Sequence, residues 1–350
     1  MGVVDQLADP KLGGGQPRTL GRYRVIRRLG EGGMSSVHLA VSVADGRKVV
    51  LKFPVPGSGV ANTEMVDRFL REEWMGRRVQ NPHVLPALQL EAGRRSRLYY
   101  ATPWQSGETL RRKLERGHTL SAVDAVRIGI QICKGLEALH RLHVLHRDIK
   151  PDNVLVNEQG TAMLLDLGVA HAESFSSEQS VPGTPSYMAP EMLGGQADRI
   201  GPRTDVYLLG AILHEIATGR PPHEGESLMA ILVSVAKSEP ALPDTVPDEL
   251  ARILRRSLDP DPDARFETAE QFRLAIAGFL EHRGSIRLAQ EAEERLEKLI
   301  DERGREGDEE GKRLRLYHLF GECRFGFLEA LRAWRENERA RAGLSRAIET

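Results

Sequence analysis

A glycine-rich segment that leads from one β-strand into another limits the folds open to this chain. Residues 23–29 are predicted to form a strand, and the glycine-rich residues 30–33 follow directly. Apolar residues alternate over residues 37–43 and 49–53, on either side of the hairpin signal Asp45-Gly46, so three antiparallel strands are predicted in sequence. A dinucleotide-binding fold needs its glycines to run from a strand into a helix. The order of elements here argues against that fold.

Two amphipathic helices are predicted after the strands. Residues 61–79 carry Glu72 on the inward face of a helix, together with apolar or small residues at helical spacing: Met65, Phe69, Gly76 and Val79. Ser121 followed by Asp124 is typical of a capping box, and it opens a second helix that ends near His140. A carboxylate on a buried helix face requires a partner, so Glu72 is a candidate for a functional ion pair.

The remaining pattern defines the fold class. Short apolar runs at residues 154–156 and 163–165 flank a turn and predict a β-ribbon, and the sequence from Asp205 onward is almost wholly helical. We therefore predict an α+β fold with two lobes. A small antiparallel sheet with one helix forms the first lobe, a larger helical lobe follows, and a cleft separates them.

Length, charge and cysteine content narrow the function classes. A chain of 350 residues fits one large two-lobed domain plus an extension. Its net charge of -1 does not suggest a protein that coats nucleic acid or an anionic membrane, and no apolar run approaches the ~18 residues of a membrane span. Cys133 and Cys323 are far apart and lie in apolar helical patterns, which argues against a disulfide framework. A cytoplasmic protein is expected.

Phosphoryl transfer requires a phosphate cradle, a cation, metal ligands and a group that orients the attacking hydroxyl, and the chain supplies candidates for each in order. Backbone N–H groups of residues 30–35 can approach phosphate oxygens because two of the tightest positions lack a Cβ, and Val37 can cover the base. Lys52 lies on an apolar strand, where an ammonium needs an anion. Glu72 is the preferred partner, because helical geometry turns the rival Glu73 about 100° off the apolar stripe.

The segment HRDIKPDN, residues 146–153, is a polar loop between apolar runs. Asp148 can accept the proton of an acceptor hydroxyl, and Lys150 can neutralise charge on the transferred phosphate. Asn153 and Asp166 offer oxygen ligands to Mg²⁺. A zinc site is the alternative, because His140, His143 and His146 recur every three residues. The helix end and the catalytic segment explain these histidines better.

These residues make the chain resemble the eukaryotic-like Ser/Thr protein kinases of bacteria over residues 20–282. The resemblance rests on GEGGMSSV at the glycine loop, VVLK at Lys52, HRDIKPDN, DLG at residues 166–168 and APE at residues 189–191. It implies a bilobal protein-kinase fold with a domain over residues 21–282, after a flexible leader of residues 1–20. It also implies that Mg·ATP is used on Ser or Thr of protein substrates.

The resemblance assigns site residues. Catalytic roles fall to Asp148, Lys150, Lys52 and Glu72, and metal binding to Asn153 and Asp166. Nucleotide contacts are expected from a larger set: Leu29, Gly30, Glu31, Gly32, Gly33, Met34, Ser35, Val37, Lys52, Thr102, Pro103 and Gln105. Within residues 99–105 the chain resembles the hinge that holds adenine, with Thr102 as gatekeeper. Asp205 resembles the acid that braces the catalytic loop, and Arg265 the partner of Glu191.

Three positions depart from the family pattern. Ser35 replaces the third loop glycine, and Leu167 replaces the usual Phe of the metal-binding triplet. Gly76 stands where a larger side chain often completes a hydrophobic stack, which leaves the resting position of its helix open. Because Lys52, Asp148, Asn153 and Asp166 are all present, an active enzyme is favoured over a pseudokinase scaffold or an adaptor. A small-molecule phosphotransferase is disfavoured because residues 183–191 resemble a platform for a protein substrate.

Control by phosphorylation is predicted between residues 166 and 191. Arg147 precedes Asp148, and its guanidinium can pair with a phosphate on that loop. The candidate acceptors are four serines, with a threonine as the second choice: Ser174, Ser176, Ser177, Ser180 and Thr184.

Residues 283–350 are predicted to form a helical extension. One apolar face comprises Ala289, Ala292, Leu296 and Leu299; a second comprises Leu316, Leu319, Cys323, Phe327, Leu331 and Trp334; Ala340, Leu344 and Ile348 continue after a break. The last part resembles about one tetratricopeptide-type helical pair. A tail packed on the kinase or on itself is favoured over a dedicated partner-binding repeat, although a protein partner for residues 283–350 stays open.

Overall fold

The structure is a computed structural model that describes residues 19–31, 35–55, 62–89, 98–117, 120–167, 185–194, 197–304 and 309–350. Side chains are described throughout these ranges except at residues 62–65, 68, 197, 309 and 310. The chain divides into two compact units, residues 1–273 and residues 274–350. No helix among the described residues is both long and apolar enough to cross a membrane.

The first lobe of unit 1 is built on an antiparallel sheet of five strands in sequential order. The strands are β1 (Thr19–Leu20), β2 (Tyr23–Glu31), β3 (Ser35–Ser42), β4 (Lys48–Pro54) and β5 (Tyr100–Pro103). Alternate residues of these strands form a core that includes Tyr23, Val25, Ala40, Leu51 and Phe53. The three predicted strands and the hairpin between β3 and β4 are confirmed, with Gly46 at a φ of 71°.

Helix α1 (Asn62–Gly76) lies between β4 and β5 in the chain and is three residues shorter at its end than the predicted helix. It ends where it meets the chain at Ala87, whose N–H donates to the Gly76 carbonyl at 2.9 Å. A Cβ at Gly76 would lie 2.9 Å from the Ala87 Cβ and 3.1 Å from its nitrogen. The missing side chain therefore lets α1 approach closely, and the Ala87 hydrogen bond determines where the helix ends.

The second lobe of unit 1 begins with β6 (Glu108–Thr109) and the short helix α2 (Leu110–Glu115). Helix α3 (Ala122–His140) starts at Ser121, whose Oγ accepts the backbone N–H of Asp124 at 3.1 Å, as the capping pattern predicts. The predicted β-ribbon forms as β7 (Val154–Val156) and β8 (Ala162–Leu164), with β6 as a third strand beside β7. This small sheet supports the polar loop that precedes it.

Helices complete the second lobe: α4 (Pro202–Thr218), α5 (Leu228–Lys237) and α6 (Asp248–Ser257). Helix α4 is buried on nearly all sides, because its sequence is apolar around most of its circumference. Near its start, Arg265 forms a buried bidentate pair with Glu191, with distances of 2.8 and 2.9 Å. Thr204 Oγ1 donates to the same carboxylate at 2.8 Å. The predicted partnership of Arg265 and Glu191 is confirmed as a contact.

Unit 2 consists of the later part of α7 (Ala269–Gly304), with α8 (Glu309–Ala333) and α9 (Glu338–Glu349). The predicted domain boundary at residue 282 lies inside α7. The core of the unit contains nine buried residues: Ala289, Ala292, Leu296, Leu299, Cys323, Phe327, Ala330, Ala340 and Ala347. Helix α9 approaches α8 closely at Gly343, where a Cβ would lie 2.3 Å from the Phe327 ring.

One residue of the predicted apolar face of the extension was assigned wrongly. Ile348 is 65% exposed, whereas Ala347 beside it is fully buried. The close approach at Gly343 turns the small residues of α9 inward, and it leaves the larger side chain of Ile348 outside. The resemblance to a tetratricopeptide-type pair stays a prediction.

Candidate active site

A cavity of about 570 Å³ lies between the two lobes of unit 1. Its walls come from β2 to β5 and the segment after β5, and include Leu29, Val37, Val50, Lys52, Thr102, Pro103, Trp104 and Gln105. Leu155 and Leu167 line it from the other lobe. Its volume and apolar walls are those of a small-molecule site. Six of the predicted nucleotide contacts therefore line this one cavity: Leu29, Val37, Lys52, Thr102, Pro103 and Gln105.

The glycine-rich segment lies at the end of the first hairpin. Gly30 pairs with Val37 and Glu31 with Ser36 across β2 and β3, and Ser35 begins β3. Gly32, Gly33 and Met34 lie outside the described residues. The segment therefore connects strand to strand, as the sequence predicted.

Lys52 forms ion pairs with two carboxylates, one from each lobe. Its Nζ lies 2.8 Å from Glu72 Oε1 on α1 and 2.8 Å from Asp166 Oδ1, two residues beyond β8. The Lys52 side chain is only 11% exposed, so these contacts replace the water that an ammonium needs. The predicted ion pair with Glu72 is confirmed. The contact with Asp166 joins the two lobes at this point of the cleft.

Glu73 is also buried, contrary to the helical-wheel argument that turned it away from the core. Its exposed fraction is 4%, and its carboxylate pairs with Arg77 one turn later. The buried arc of α1 near its end is therefore wider than the predicted apolar stripe, although Trp74 beside Glu73 is 54% exposed. Glu72 nevertheless is the carboxylate that reaches Lys52.

Charge interactions at this node outweigh desolvation for two of the three groups. Burial alone would lower the pKa of Lys52, but Asp166, Tyr100 and Glu72 together raise that pKa well above its ordinary value. Burial opposes ionisation of Asp166, yet the Lys52 ammonium holds the pKa of Asp166 below its usual range. Burial raises the pKa of Glu72, because Lys52 offsets desolvation only in part. Lys52 is thus a permanent cation in the cleft.

The polar loop after α3 places two side chains, those of Lys150 and Asn153, around Asp148. Lys150 Nζ lies 2.9 Å from Asp148 Oδ1. Asn153 Nδ2 donates to both the main-chain carbonyl and Oδ2 of Asp148 at 2.8 Å. Both hydrogens of the Asn153 amide are therefore directed at Asp148, and its oxygen remains for another ligand. The side chain of Asp148 is 23% exposed and can reach a group in the cleft.

The Asp205 carboxylate braces this loop from α4, as the sequence predicted. It accepts the backbone N–H groups of His146 at 2.9 Å and Arg147 at 2.8 Å. His140 Nε2 lies 2.8 Å from the same carboxylate. The Asp205 side chain is fully buried, where its hydrogen bonds are stronger than in water, so these three contacts hold the start of the loop against α4.

Two residues of the site adopt left-handed backbone conformations without being glycine. Arg147 has a φ of 61° and Asp166 a φ of 48°. Such conformations cost of order 1–3 kcal/mol and persist only where surrounding contacts impose them. Asp205 imposes the first and Lys52 contacts the second. The chain therefore maintains backbone strain at the two positions flanking the proposed chemistry.

A second charged cluster was missed in the sequence. Arg111 on α2 contacts Glu215 Oε1 at 3.0 Å, the Tyr187 hydroxyl at 2.6 Å and Asp152 Oδ2 at 3.4 Å. Tyr187 also donates to Glu215. The cluster links the polar loop to the segment that resembles a substrate platform. Glu215 inside the apolar helix α4 was the available signal, since a buried carboxylate requires a cation.

The zinc alternative is not supported by the histidine contacts. His140 bonds to Asp205, and His146 Nε2 lies 3.0 Å from the Leu165 carbonyl. Within the ranges that the structure describes, no group of three or more His, Cys, Asp or Glu side chains could hold a metal ion. A site built from Asn153 and Asp166 contains only one such residue. It fits Mg²⁺, which takes few protein oxygens and completes its shell with water and phosphate.

The two lobes, the cleft and the Lys52–Glu72 and Asp205–loop contacts define the bilobal protein-kinase fold. A family model described as "protein kinase domain" matches residues 23–274, and the chain belongs to that family. It is 31% identical over 278 residues to a probable serine/threonine-protein kinase, PknB, of Bifidobacterium longum, covering 74% of this chain and 40% of that protein. It is 31% identical over 268 residues to the serine/threonine-protein kinase PrkC of Bacillus subtilis, with the same coverage of 74% and 40%. It is 33% identical over 259 residues to the probable serine/threonine-protein kinase PkwA of Thermomonospora curvata, covering 73% and 34%. The chain thus spans about two fifths or less of the length of these relatives.

Proposed function

We propose that this chain is a serine/threonine protein kinase that transfers the γ-phosphoryl of Mg·ATP to Ser or Thr hydroxyls of protein substrates. The observation that carries the proposal is the position of Lys52 Nζ, 2.8 Å from both Glu72 and Asp166. A pseudokinase needs neither contact. Here a buried cation, a helix carboxylate and a metal-ligand carboxylate share one point of the cleft, where a nucleotide's phosphates can reach all three.

The residues of the cleft have separate roles in binding the adenine, the phosphates and the metal ion. Leu29, Val37 and Thr102 bound the adenine end, and Lys52 orients the phosphates. The Asn153 amide oxygen and the Asp166 carboxylate hold Mg²⁺, which supplies positive charge against the phosphate oxygens when bound. Hard carboxylate and amide oxygens are the ligands that this ion prefers.

Asp148 and Lys150 serve the acceptor. Asp148 accepts the proton of the attacking hydroxyl, and Asn153 orients its carboxylate through the 2.8 Å hydrogen bond. Lys150, 2.9 Å from Asp148, stabilises negative charge on the phosphoryl group in transit. Such a site reaches about 1–100 s⁻¹ once active.

Substitutions of Lys52 and Asp166 test this assignment with the full chain. Labelled γ-phosphate transfer to a Ser- and Thr-containing acceptor protein should depend on Mg²⁺ and disappear in Lys52→Met and Asp166→Asn. The matched control is Lys48→Met, on the same strand but exposed. Retained transfer in either cleft variant, or labelling mainly on Tyr, would overturn the roles or the acceptor class.

We also propose control by phosphorylation between residues 166 and 191. The candidate residues Ser174, Ser176, Ser177, Ser180 and Thr184 lie outside the described residues. Support comes from Arg147, whose Nε is buried with no hydrogen-bond partner among the residues that the structure describes. A guanidinium nitrogen buried without an acceptor is costly, and a phosphate would satisfy it.

Mass spectrometry and rates decide the matter. Active enzyme should carry phosphate between residues 169 and 184, and phosphatase treatment should reduce its rate. Arg147→Lys should weaken that dependence, because an ammonium lacks the bidentate geometry of a guanidinium. An equally active dephosphorylated protein would refute control by this segment. The cytoplasmic location and a protein partner for residues 283–350 stay predictions.

A further inference from the structure

Helix α8 has a second apolar face that unit 2 leaves uncovered. Leu314, Tyr317, Phe325 and Leu328 are 60%, 74%, 66% and 39% exposed. Gly321 lies in the middle of them, and a Cβ built there would meet nothing within 4 Å. We call these five residues the outer face of α8. On its inner face, Cys323 and Phe327 are fully buried in the core of the unit.

The outer face is symmetric about Gly321. Leu314 and Leu328 lie seven residues before and after it, and Tyr317 and Phe325 lie four residues before and after it. At about 100° per residue, all four side chains leave the helix within roughly 40° of the Gly321 direction. The stripe extends about 21 Å along the helix, with a leucine at each end and an aromatic residue on each side of the glycine.

A glycine inside a helix costs about 1 kcal/mol relative to alanine, so its place in the stripe requires a reason. The same helix shows one. A Cβ at Gly326 would lie 2.9 Å from the Ala292 Cβ, so that glycine lets α7 and α8 approach closely. Gly321 offers the same close approach on the outer face, where no helix of the described chain takes it.

We propose that two copies of this chain pair through the outer face of α8, with the helices antiparallel and Gly321 on the two-fold axis. In that arrangement Tyr317 contacts Phe325 of the partner subunit, and Leu314 contacts Leu328 of the partner subunit. A closed dimer needs a surface that is complementary to itself. The symmetric spacing meets this requirement, because each large apolar residue of the outer face before Gly321 is matched by one after it.

The antiparallel direction follows from the same pattern. In a parallel pair each residue of the stripe faces the same residue of the other copy, so the first half of the stripe never contacts the second half. That arrangement leaves the symmetry about Gly321 unexplained. It would also align the two helix macrodipoles, whereas the antiparallel pair opposes them. The exposed parts of the four large residues amount to about 500 Å² per copy, or roughly 1,000 Å² for two copies. Complete burial of this area reaches the lower limit of a specific interface.

The oligomeric state of the full chain tests the pairing. Sedimentation equilibrium over a range of concentrations should give a dimer mass for the wild type. Tyr317→Glu and Phe325→Glu should each shift the chain to monomer, because a carboxylate would be buried against an aromatic ring. Ile348→Glu is the matched control: that residue is 65% exposed on α9 and should leave the dimer intact. Unchanged helical circular dichroism excludes unfolding as the cause.

Cross-linking tests the geometry. Gly321→Cys should form an intermolecular disulfide with itself under mild oxidation, since the two-fold axis brings position 321 of both copies together. Tyr317→Cys mixed with Phe325→Cys should cross-link better than either variant alone. The native thiols Cys133 and Cys323 are buried and should give little background. A monomeric wild type, a dimer that survives both Glu variants, or preferential self-linking of Tyr317→Cys would each overturn the proposal.

Discussion

The Asp205 carboxylate accepts the backbone N–H of Arg147 at 2.8 Å and so fixes a residue whose φ is 61°. Asp205 lies on α4 and touches neither the nucleotide cavity nor the proposed acceptor position. It acts through the loop that carries Asp148. Its contribution can therefore be separated from that of the residues in the cleft.

Replacing Asp205 with Asn should lower kcat about tenfold or more, because an amide nitrogen would face a backbone N–H and release the loop. The KM for Mg·ATP should change much less. Stability should fall by about 1–3 kcal/mol, measured by urea unfolding. Asp198→Asn, at an exposed position, is the control. An unchanged kcat would show that the loop holds its shape without this brace.

Gly76→Ala tests the close approach of α1 to the following segment. The new Cβ would meet the Ala87 Cβ at 2.9 Å, so we expect a destabilisation of about 1–3 kcal/mol and a displaced helix. Displacement separates Glu72 from Lys52, and phosphoryl transfer should fall as well. Gly278→Ala on α7, where a Cβ meets nothing within 4 Å, should instead stabilise by about 0.5–1 kcal/mol. Equal effects at the two sites would contradict the packing argument.

Replacing only one partner of the buried pair Arg265 and Glu191 should lower the free energy of unfolding strongly. Both side chains are 0% exposed, and Arg265→Met leaves the carboxylate uncompensated, which typically costs about 3–5 kcal/mol. The double variant Arg265→Met with Glu191→Met should recover part of that loss. Arg199→Met removes the exposed contact with Asp261 and should cost less than about 1 kcal/mol. Urea midpoints for the wild type, Arg265→Met, Glu191→Met and the double variant measure the coupling, and additive losses would argue against it.

His223 should make stability depend on pH. Burial beside Tyr207 lowers the pKa of His223 to about 4, whereas an unfolded histidine titrates near 6.5. Because the unfolded chain binds the proton more readily, this contribution is complete above about pH 6.5 and is lost as the pH falls toward 4. It amounts to about 2 kcal/mol between pH 7.5 and 5.

Unfolding of the wild type and of His223→Gln at both pH values measures the effect. The variant should lose about 2 kcal/mol less than the wild type over this range, although it starts from a lower stability at pH 7.5. Identical losses in both proteins would assign the pH dependence to other groups.

Sequence analysis predicted those parts of the site where a local pattern buries a charged side chain that then needs an opposite charge. Lys52 on an apolar strand and Glu72 on a buried helix face each need an opposite charge, and the two meet at 2.8 Å. Asp205 and Arg265 came from motif resemblance, and both contacts are present. The second carboxylate on Lys52, from Asp166, was not anticipated, because it depends on the left-handed turn after β8.

Contacts between residues far apart in the chain were not predicted from the sequence. Arg111 and Glu215 are 104 residues apart, and no periodicity relates them. The burial of Glu73 and the exposure of Ile348 depend on how closely neighbouring elements approach, which is determined by tertiary packing at Gly76 and Gly343. The outer face of α8 was not predicted, because the sequence analysis identified one apolar stripe on this helix and that stripe does not contain Leu314, Tyr317, Phe325 or Leu328.

Phosphoryl transfer by Asp148→Asn, measured beside Mg·ATP binding in the same protein, tests the central claim most directly. Asp148 is proposed to act on the acceptor hydroxyl, whereas Lys52, Asn153 and Asp166 serve the nucleotide. The account predicts that Asp148→Asn binds Mg·ATP with an affinity within a few-fold of the wild type and loses at least about 100-fold in transfer to a Ser-containing acceptor. Transfer at the wild-type rate in Asp148→Asn, or no Mg-dependent transfer to Ser or Thr by the wild type under any phosphorylation state, would contradict it.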